Sequence, residues 1–212
     1  MAPDNAVKNY GWKNTGKAQS HNYITPVVIA FIKKEMPKRI LDLGCGNGNL
    51  CNTISKEFNA HVAGIDYDPN GIALAKKSFT SIPFYNYGVQ DNPDHLMKDE
   101  KDFFDVVIST EVIEHLYSPQ LLPQYAHKVL KPGGKLFITT PYHGYLKNLA
   151  LSLLDHWDTH HTPLWEGGHI KFWSYKTLSE LLEKNGFKVI KHSGIGRAPY
   201  FWKSMVIICQ KL

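Results

Sequence analysis

Residues 42–48 combine an acidic side chain with three closely spaced glycines. They read Asp-Leu-Gly-Cys-Gly-Asn-Gly and follow the apolar pair Ile40-Leu41. Glycine is needed where the backbone passes close to a ligand, because it has no Cβ to collide with that ligand. An apolar run, a tight turn and a helix beginning at Asn49 therefore predict a nucleotide-binding loop.

The kind of nucleotide follows from what this loop lacks. A phosphate-binding loop ends in Gly-Lys-Ser/Thr, whereas Gly48 is followed by Asn49 and Leu50. A dinucleotide-binding loop has the spacing G-x-G-x-x-G, and here the third glycine comes too early. Asp42 would repel a pyrophosphate and attract a cation. S-adenosylmethionine (SAM) carries an ammonium and a sulfonium, so the loop favours SAM.

A second acidic residue supports this interpretation. Asp66 ends the apolar run that begins at His61. It follows the loop by about 20 residues, the distance expected for a carboxylate that binds ribose hydroxyls. Together, the loop and this acid predict a SAM site.

Glu111, Glu114 and His115 form a second candidate site. Their spacing of i, i+3 and i+4, at the predicted start of the helix after the fourth strand, would place them on one helical face. Two carboxylates and an imidazole suit Mg²⁺, Mn²⁺ or Zn²⁺. Glu114 and His115 are also candidate catalytic residues, because a hydroxyl acceptor must lose its proton. The alternative is that the glutamates only stabilise a helix N-terminus while His115 makes a local hydrogen bond.

Residues 142–173 form an insertion after the fifth strand that is rich in histidine and aromatic side chains, a composition that suits a pocket for a planar or apolar substrate. His143, directly after the fifth strand, is the predicted general base. Within the insertion, apolar residues recur at helical spacing over 146–157 and predict one amphipathic helix. Such a stripe packs on the protein's own core or forms a lid. Peripheral contact with a membrane is the alternative, against which the polar face speaks because Lys147 is its only cation.

The elements that must position these side chains alternate between strand and helix. Strands are predicted near 39–43, 61–65, 82–87, 104–109 and 134–140, and helices near 49–58, 69–78 and 119–129. A helix that begins at Thr25-Pro26 precedes them, and a helix capped by Ser174 follows them. This order predicts an α/β fold with a parallel sheet covered on both faces. We predict a single domain over residues 1–212, with an N-terminal helical cap over 1–37.

The composition is that of a globular protein. Hydrophobic residues make up 43% of the chain and charged residues 20%, which argues against disorder. The formal net charge of +5 comes from scattered lysines and not from a dense basic stripe. Three cysteines lack zinc-ligand spacing, and neither a secretory signal nor a membrane-spanning run is present. These features predict a cytoplasmic protein.

Four motifs in order make the chain resemble the class I SAM-dependent methyltransferases. Residues 42–48 resemble motif I, 64–66 the ribose-binding acid, 104–115 the fourth strand and its following helix, and 130–138 the turn into the fifth strand. The resemblance implies a Rossmann-like, mostly parallel seven-stranded sheet with an antiparallel final strand. It implies cofactor contacts by Asp42, Gly44, Cys45, Gly46, Gly48, Asp66, Tyr67, Gln90, Asp91, Thr110 and Glu111.

Within that class, residues 111–115 are similar to two groups. One is the ubiquinone-pathway O-methyltransferases (the methyltransferase type 11 group), some of which use Mg²⁺ at this segment. The other is the small-RNA 3′-terminal 2′-O-methyltransferases, whose metal ligands would match Glu111, Glu114, His115 and His169. The first group also places an arginine before motif I that contacts the cofactor, and this chain has none before Arg39. Tyr10, His21 or Tyr23 is expected to cover the cofactor instead.

The favoured function is SAM-dependent O-methylation of a small hydroxylated aromatic or quinol-like acceptor. A metal-dependent RNA 2′-O-methyltransferase, with a nucleic-acid partner, is one alternative. A non-catalytic SAM-binding protein is the other. The acceptor, the methylated atom and the oligomeric state stay open.

Overall fold

The computed structural model describes residues 11–161, 163–165 and 167–212. Its strands are β1 (Arg39–Leu43), β2 (His61–Ile65), β3 (Phe84–Tyr85), β4 (Phe104–Thr110), β5 (Leu130–Pro141), β6 (Phe187–Ile195) and β7 (Ser204–Lys211). They form one seven-stranded sheet in the order β3-β2-β1-β4-β5-β7-β6. In this order, neighbouring strands from β3 through β5 are parallel to each other. β7 runs antiparallel to both of its neighbours, β5 and β6. The predicted mostly parallel sheet with an antiparallel final strand is confirmed.

Helices cover both faces of this sheet. They are α1 (His21–Glu35), α2 (Asn49–Glu57), α3 (Pro69–Ser78), α4 (Pro93–Glu100), α5 (Leu121–Val129), α6 (Tyr145–Leu153), α7 (Trp157–His161) and α8 (Tyr175–Lys184). α1, α2 and α3 contribute to the buried apolar cluster on one face, and α4, α5 and α8 contribute to the cluster on the other. α6 and α7 belong to the insertion after β5. Within the described ranges, none of the helices has the length and apolar content that crossing a bilayer requires.

The central strands are nearly continuous apolar runs because helices cover both of their sides. In β1, residues 40–43 are all buried, and Leu41 pairs with Ala63 of β2 and Val107 of β4. Asp42 is the exception in this strand, because it carries a carboxylate into a position that is otherwise apolar. Its location at the end of β1 points to the functional site.

Side chains cap several helix starts, and the predicted cap Ser174 is among them. The Asp68 carboxylate accepts a hydrogen bond from the Asn70 N–H at the start of α3, 2.9 Å away. Ser174 and Thr177 form a reciprocal capping box at the start of α8. These contacts satisfy backbone donors that have no partner within the helix.

Four elements differ from the prediction. β5 begins at Leu130 and so includes the residues that were predicted to form the turn before it. α1 begins at His21, so Pro26 lies inside it and not at its start. Pro26 leaves the carbonyl of Asn22 without a helical donor, and this exposed residue near the helix start can bond to water instead. α4 was not predicted, and Asn92 caps it. β3 is limited to residues 84–85 instead of 82–87.

Candidate functional site

A cavity of about 1470 Å³ opens at the carboxyl ends of β1 and β4. These strands are neighbours in the sheet although β2 and β3 lie between them in the chain. The strand order therefore reverses at this point, which is where ligands bind in open α/β sheets. The cavity is large enough for a nucleoside and a second small molecule.

The glycines after β1 are required by backbone conformation and by close neighbours. Gly44 has φ +89° and Gly46 has φ +52°. A Cβ on Gly44 would lie 2.4 Å from Val112 Cγ2, and one on Gly46 would lie 2.5 Å from Trp12 Cζ2. Both glycines line the cavity. Their backbone is therefore open to a ligand at a turn where other residues would be strained.

Asp66 follows β2 and lies beside this glycine loop. Its Oδ2 accepts the Gly46 N–H and its Oδ1 accepts the Asp68 N–H, both at 2.8 Å. Burial raises the pKa of this carboxyl, although the backbone donors oppose the shift. Asp66 also lines the cavity. Each carboxylate oxygen has a second lone pair, so Asp66 can still accept hydrogen bonds from hydroxyl groups.

Asp42 places a nearly unpartnered carboxylate at the cavity wall. It is 1% exposed, and its Oδ2 accepts a hydrogen bond from the Cys51 thiol at 3.3 Å. Its Oδ1 is buried and has no hydrogen-bond partner among the described residues. Burial raises the pKa of this carboxyl to about 7. A cationic ligand would stabilise the ionised form, so the site fits the ammonium of SAM and disfavours a phosphate.

The segment before α1 covers the glycine loop. The side-chain amides of Asn47 and Asn49 donate to backbone carbonyls of residues 14–16 at distances of 2.8 and 2.9 Å. Trp12 packs over Gly46 from the same segment. Of this segment, Trp12 lines the cavity, and the hydrogen bonds from Asn47 and Asn49 hold the segment against the glycine loop.

Not all of the other predicted cofactor contacts lie at the cavity. Those that line it are Cys45, Tyr67, Gln90, Thr110 and Glu111. Gly48 instead packs against β3 and α3, since an added Cβ would lie 2.7 Å from Phe84 Cζ and 2.9 Å from Ala75 Cβ. Asp91 accepts the Gly88 N–H at 2.7 Å and so stabilises a local turn. Gly48 and Asp91 do not line the cavity, and in the described structure they serve packing and turn formation.

The chain turns sharply after β4 and does not enter an α-helix. Glu111 has a left-handed backbone with φ 54°, and Ile113–His115 form a single 3₁₀ turn. The Glu111 carboxylate accepts hydrogen bonds from Thr139 Oγ1 at 2.8 Å and Ser204 Oγ at 3.1 Å. The prediction of one α-helical face for the two glutamates and the histidine is therefore wrong. The left-handed residue directs the Glu111 side chain toward β5 and β7.

Glu114, His115 and His169 come together beside the cavity. Each offers a metal-ligand atom, and these atoms all lie within 4.8 Å of one another. Glu114 is fully buried, and its Oε2 accepts a hydrogen bond from Thr140 Oγ1 at 3.0 Å. Its Oε1 has no hydrogen-bond partner among the described residues, and His115 Nε2 lies 3.9 Å from it. Three of the four predicted metal ligands thus converge, and Glu111 does not join them.

Burial sets the protonation of this cluster. It raises the pKa of Glu114, with a further contribution from Glu111. It lowers the pKa of His115, and it lowers that of His169 to about 4. Both imidazoles are then neutral at pH 7, the form that binds metal ions. The Glu114 carbonyl accepts the N–H groups of residues 170–171 at 2.9 and 3.0 Å, which fixes the segment that carries His169.

His143 lies behind the cavity and not on its wall. Its ring stacks on His161 at 5.6 Å and meets the edge of Phe172 at 5.0 Å. Burial lowers the pKa of His143 to about 3, and the Lys147 ammonium adds to this shift. His160 and His161 occupy the wall instead. The described structure therefore disfavours His143 as the residue that contacts an acceptor.

The predicted amphipathic helix is divided into two short helices, α6 and α7, and its apolar side faces solvent instead of the core. α6 ends at Leu153, and Asp155 has a left-handed backbone with φ 54° before α7 begins. Leu146 is 45% exposed and Leu153 is 76% exposed, whereas Lys147 is only 7% exposed and lines the cavity. The stripe does not pack on the core as predicted. The helix presents its leucines to solvent and its lysine to the site.

Two basic residues near the C-terminal end of the sequence line the cavity and were not predicted to belong to the site. Arg197 and Lys203, from the segment between β6 and β7, line the cavity. Lys203 Nζ lies 5.2 Å from the centre of the Tyr23 ring. Of the side chains expected to cover the cofactor, His21 and Tyr23 line the cavity and Tyr10 lies outside the described residues. The chain lacks the arginine that the ubiquinone-pathway group places before motif I. Its absence is a sequence signal that another part of the chain supplies a positive charge to the site.

Comparison with known proteins identifies the family of this chain. A family profile described as a methyltransferase domain matches residues 18–192. The ubiquinone biosynthesis O-methyltransferase of Nitrobacter winogradskyi is 28% identical over 89% of this chain and 77% of that protein. The enzyme of the same name from Hydrogenovibrio crunogenus is 28% identical over 92% of this chain and 82% of that protein.

Solved structures share the fold. The magnesium protoporphyrin IX methyltransferase of Synechocystis PCC 6803, with bound S-adenosylhomocysteine (SAH), superposes with a TM-score of 0.66 at 15% identity, over 89% of this chain and 82% of that one. The [4+2]-cyclase SpnF has a TM-score of 0.68 at 16% identity, over 94% and 86% of the two chains. At such identities the likeness shows the fold alone. Because the family profile covers most of the chain, this protein belongs to the class I SAM-dependent methyltransferases.

Proposed function

We propose that this enzyme methylates a hydroxyl group of a small aromatic or quinol-like acceptor with the help of a divalent metal ion. The observation that carries the proposal is the cluster of Glu114, His115 and His169, in which a buried carboxylate oxygen lacks a partner. The names of the ubiquinone biosynthesis relatives support the acceptor class.

The residues around the glycine loop are assigned to cofactor binding. SAM, when bound, supplies an electrophilic methyl group on its sulfonium. We assign Asp66 to the ribose, the backbone at Gly44 and Gly46 to the methionine part, and Asp42 to the ammonium. Further contacts are assigned to Cys45, Tyr67, Gln90, Thr110 and Glu111. The chain's own contribution is to hold the donor in line with the acceptor oxygen, and such alignment supplies much of the rate in displacement reactions.

The metal cluster supplies the second part of the mechanism. One carboxylate and two imidazoles suit Zn²⁺, Mn²⁺ or another transition metal better than Mg²⁺, which prefers oxygen ligands. Glu114, His115 and His169 would hold the ion, which would lower the pKa of an acceptor hydroxyl. Glu111 is kept out of this set by its bonds to Thr139 and Ser204.

A histidine of the cavity wall is assigned to accept the hydroxyl proton. Burial lowers the pKa of His160 to about 4, and it also lowers that of His161. Both rings are therefore neutral at pH 7, the form that accepts a proton, and the lowered pKa makes each a weaker base than a free imidazole. Both ring nitrogens of His161 are buried without a hydrogen-bond partner among the described residues. We assign His161 as the base, with His143 packed behind it.

Metal titration tests the proposed cluster. Protein stripped with EDTA and titrated with Co²⁺ should bind one equivalent and develop a visible absorption band. Glu114→Gln and His169→Ala should weaken Co²⁺ binding by at least about 100-fold, since even outer-shell partners typically contribute 10- to 100-fold. SAH affinity should stay unchanged. Methylation of catechol, followed as SAH formation, should fall in parallel with metal occupancy.

His192→Ala provides a matched control, because this histidine is exposed on β6 away from the cavity. It should leave Co²⁺ binding and turnover unchanged. Catechol methylation that survives both EDTA and Glu114→Gln would remove the metal from the mechanism. It would leave the methyltransferase assignment intact.

An RNA 2′-O-methyltransferase is the second candidate function. It is favoured by the convergence of His169 with Glu114 and His115, the set implied by the resemblance to the small-RNA enzymes. It is disfavoured because Glu111, the fourth member of that set, is engaged elsewhere. An electrophoretic shift with a short RNA separates the two functions, and absence of a shift removes this candidate.

We also propose that α6 rests on a membrane surface when a lipid-soluble acceptor is taken up. The support is the exposure of its apolar side chains: Tyr145, Leu146, Leu149 and Leu153, continued by Leu154 and Trp157. Lys147, the only cation in α6, is buried. Binding would therefore rest on apolar contact, and neutral phosphatidylcholine vesicles should float the protein as well as anionic ones do. Leu153→Asp should reduce flotation, and no flotation of the parent protein would remove the idea.

A further inference from the structure

Lys147 is a buried cation at the cavity wall that forms no ion pair with the described residues. It is 7% exposed, and its Nζ donates a hydrogen bond to the Tyr142 carbonyl at 2.8 Å. No described carboxylate forms an ion pair with it. Glu111 acts on it electrostatically but directs its oxygens to Thr139 and Ser204. Burying an ammonium in this way is costly unless a charge of opposite sign approaches it.

Arg197 adds a second positive charge to the same wall. It lines the cavity, and it forms no ion pair with the described residues. Burial lowers the pKa of Lys147 to about 8, and the positive charge of Arg197 adds to this shift. Two cations that repel each other at one cavity wall are stabilised when an anion lies between them.

We propose that Lys147 and Arg197 form a binding site for an anionic group of the acceptor, a carboxylate or a phosphate. An ammonium and a guanidinium are the donors that bind such groups through charge-assisted hydrogen bonds. The inference rests on the proposed function and narrows its acceptor class. The acceptor would then combine an aromatic hydroxyl with an acidic substituent.

This site is assigned to the acceptor because Lys147 belongs to the insertion and donates a hydrogen bond to the Tyr142 carbonyl within it. The Lys147 charge acts on the histidines of the insertion, His143, His160, His161 and His169. The glycine loop contacts a different set of side chains, those of Trp12 and Val112. The carboxylate of SAM is the other anion of suitable chemistry, so the test must separate the two.

Benzoate and benzamide test the site without any methyl transfer. The two have nearly the same shape, only benzoate is charged, and neither has a hydroxyl group. With protein saturated in SAH, ligand-observed NMR titration should show that benzoate binds at least about tenfold more tightly than benzamide. Lys147→Met should abolish this preference and leave SAH affinity unchanged. Phenyl phosphate in place of benzoate shows which of the two anions is preferred.

Two further variants control for folding and for bulk charge. Lys147→Arg retains the positive charge and should retain the preference for benzoate. Lys191→Met removes an exposed lysine on β6 and should change nothing.

Equal affinities for benzoate and benzamide, or no measurable binding of either, would overturn the site. A preference that survives Lys147→Met would do the same. If Lys147→Met weakens SAH binding instead, the cation serves the cofactor carboxylate and the inference is wrong. A protein that binds benzoate through Lys147 but methylates no hydroxylated aromatic would keep the anion site and refute the proposed function.

Discussion

The glycine loop and helix α6 line the same cavity. The sequence pattern predicts the structure of the loop correctly, but it predicts the orientation of α6 wrongly. In the loop, Gly44 and Gly46 have positive φ angles and neighbours that leave no room for a Cβ. Their residue types and conformations agree. In α6, the leucine pattern predicts burial, yet Leu153 is 76% exposed while Lys147 is 7% exposed.

This difference shows which constraint acts on each region. The loop is determined by local backbone geometry and by the register of β1 against its neighbours. In α6, Lys147 lies at the cavity wall and donates a hydrogen bond to the Tyr142 carbonyl, so this turn of the helix faces the cavity and its leucines do not. Amphipathic pattern is a good guide where a helix packs on a core, and it fails where the helix serves a site.

The largest expected effect of a single substitution is on the loop side of this comparison. Asp66→Ala should weaken SAH binding by at least about 100-fold, because it removes hydrogen bonds to a charged group and the partner of the Gly46 N–H. Isothermal titration calorimetry measures this affinity. Asp91→Ala is the matched control and should stay within about threefold, since Asp91 only stabilises a local turn. Near-normal affinity of Asp66→Ala would contradict the assignment.

Most of the sheet could be predicted because its strands are apolar runs between turn residues. The predicted ranges 39–43 and 61–65 are those of β1 and β2. α4 was missed because its sequence is mostly polar, and Leu96 is its only buried apolar residue. Pro26 was misread as a helix start because the pattern does not show that the preceding residues also pack as helix.

The site could be predicted where its chemistry is local in the chain. Asp42, the glycines and Asp66 lie within two strand–turn units, and all but Gly48 line the cavity. The conformation of Glu111 depends on Thr139 and Ser204, which lie on distant strands. No local pattern reveals such partners. The same holds for the wall cations, which come together only through the fold.

A smaller expected effect is a pH dependence of cofactor binding through Asp42. Burial raises the pKa of this carboxyl to about 7, so it is protonated in the free protein below that pH. Because an ammonium binds the ionised form, SAH affinity should fall as pH is lowered below 7, by up to about tenfold per pH unit. Above pH 7 the carboxylate is already ionised and the affinity should level off.

Calorimetry across this pH range measures the dependence. Asp42→Asn should bind more weakly and with a flatter profile, since the buried group no longer titrates. The variant also separates Asp42 from Asp66, whose pKa is raised by burial as well. A flat profile for the parent protein would remove Asp42 from cofactor binding.

The smallest expected effect lies on the α6 side of the comparison. Leu153→Ala should change the free energy of unfolding by no more than about 0.5 kcal/mol, because this side chain is largely exposed. Leu178→Ala, at a fully buried position of α8, should lower it by about 2–5 kcal/mol. Urea unfolding compares the two. A loss for Leu153→Ala close to that for Leu178→Ala would mean that α6 packs its leucines inward. Lys147 would then face solvent, and the acceptor's anionic group would have lost its proposed partner.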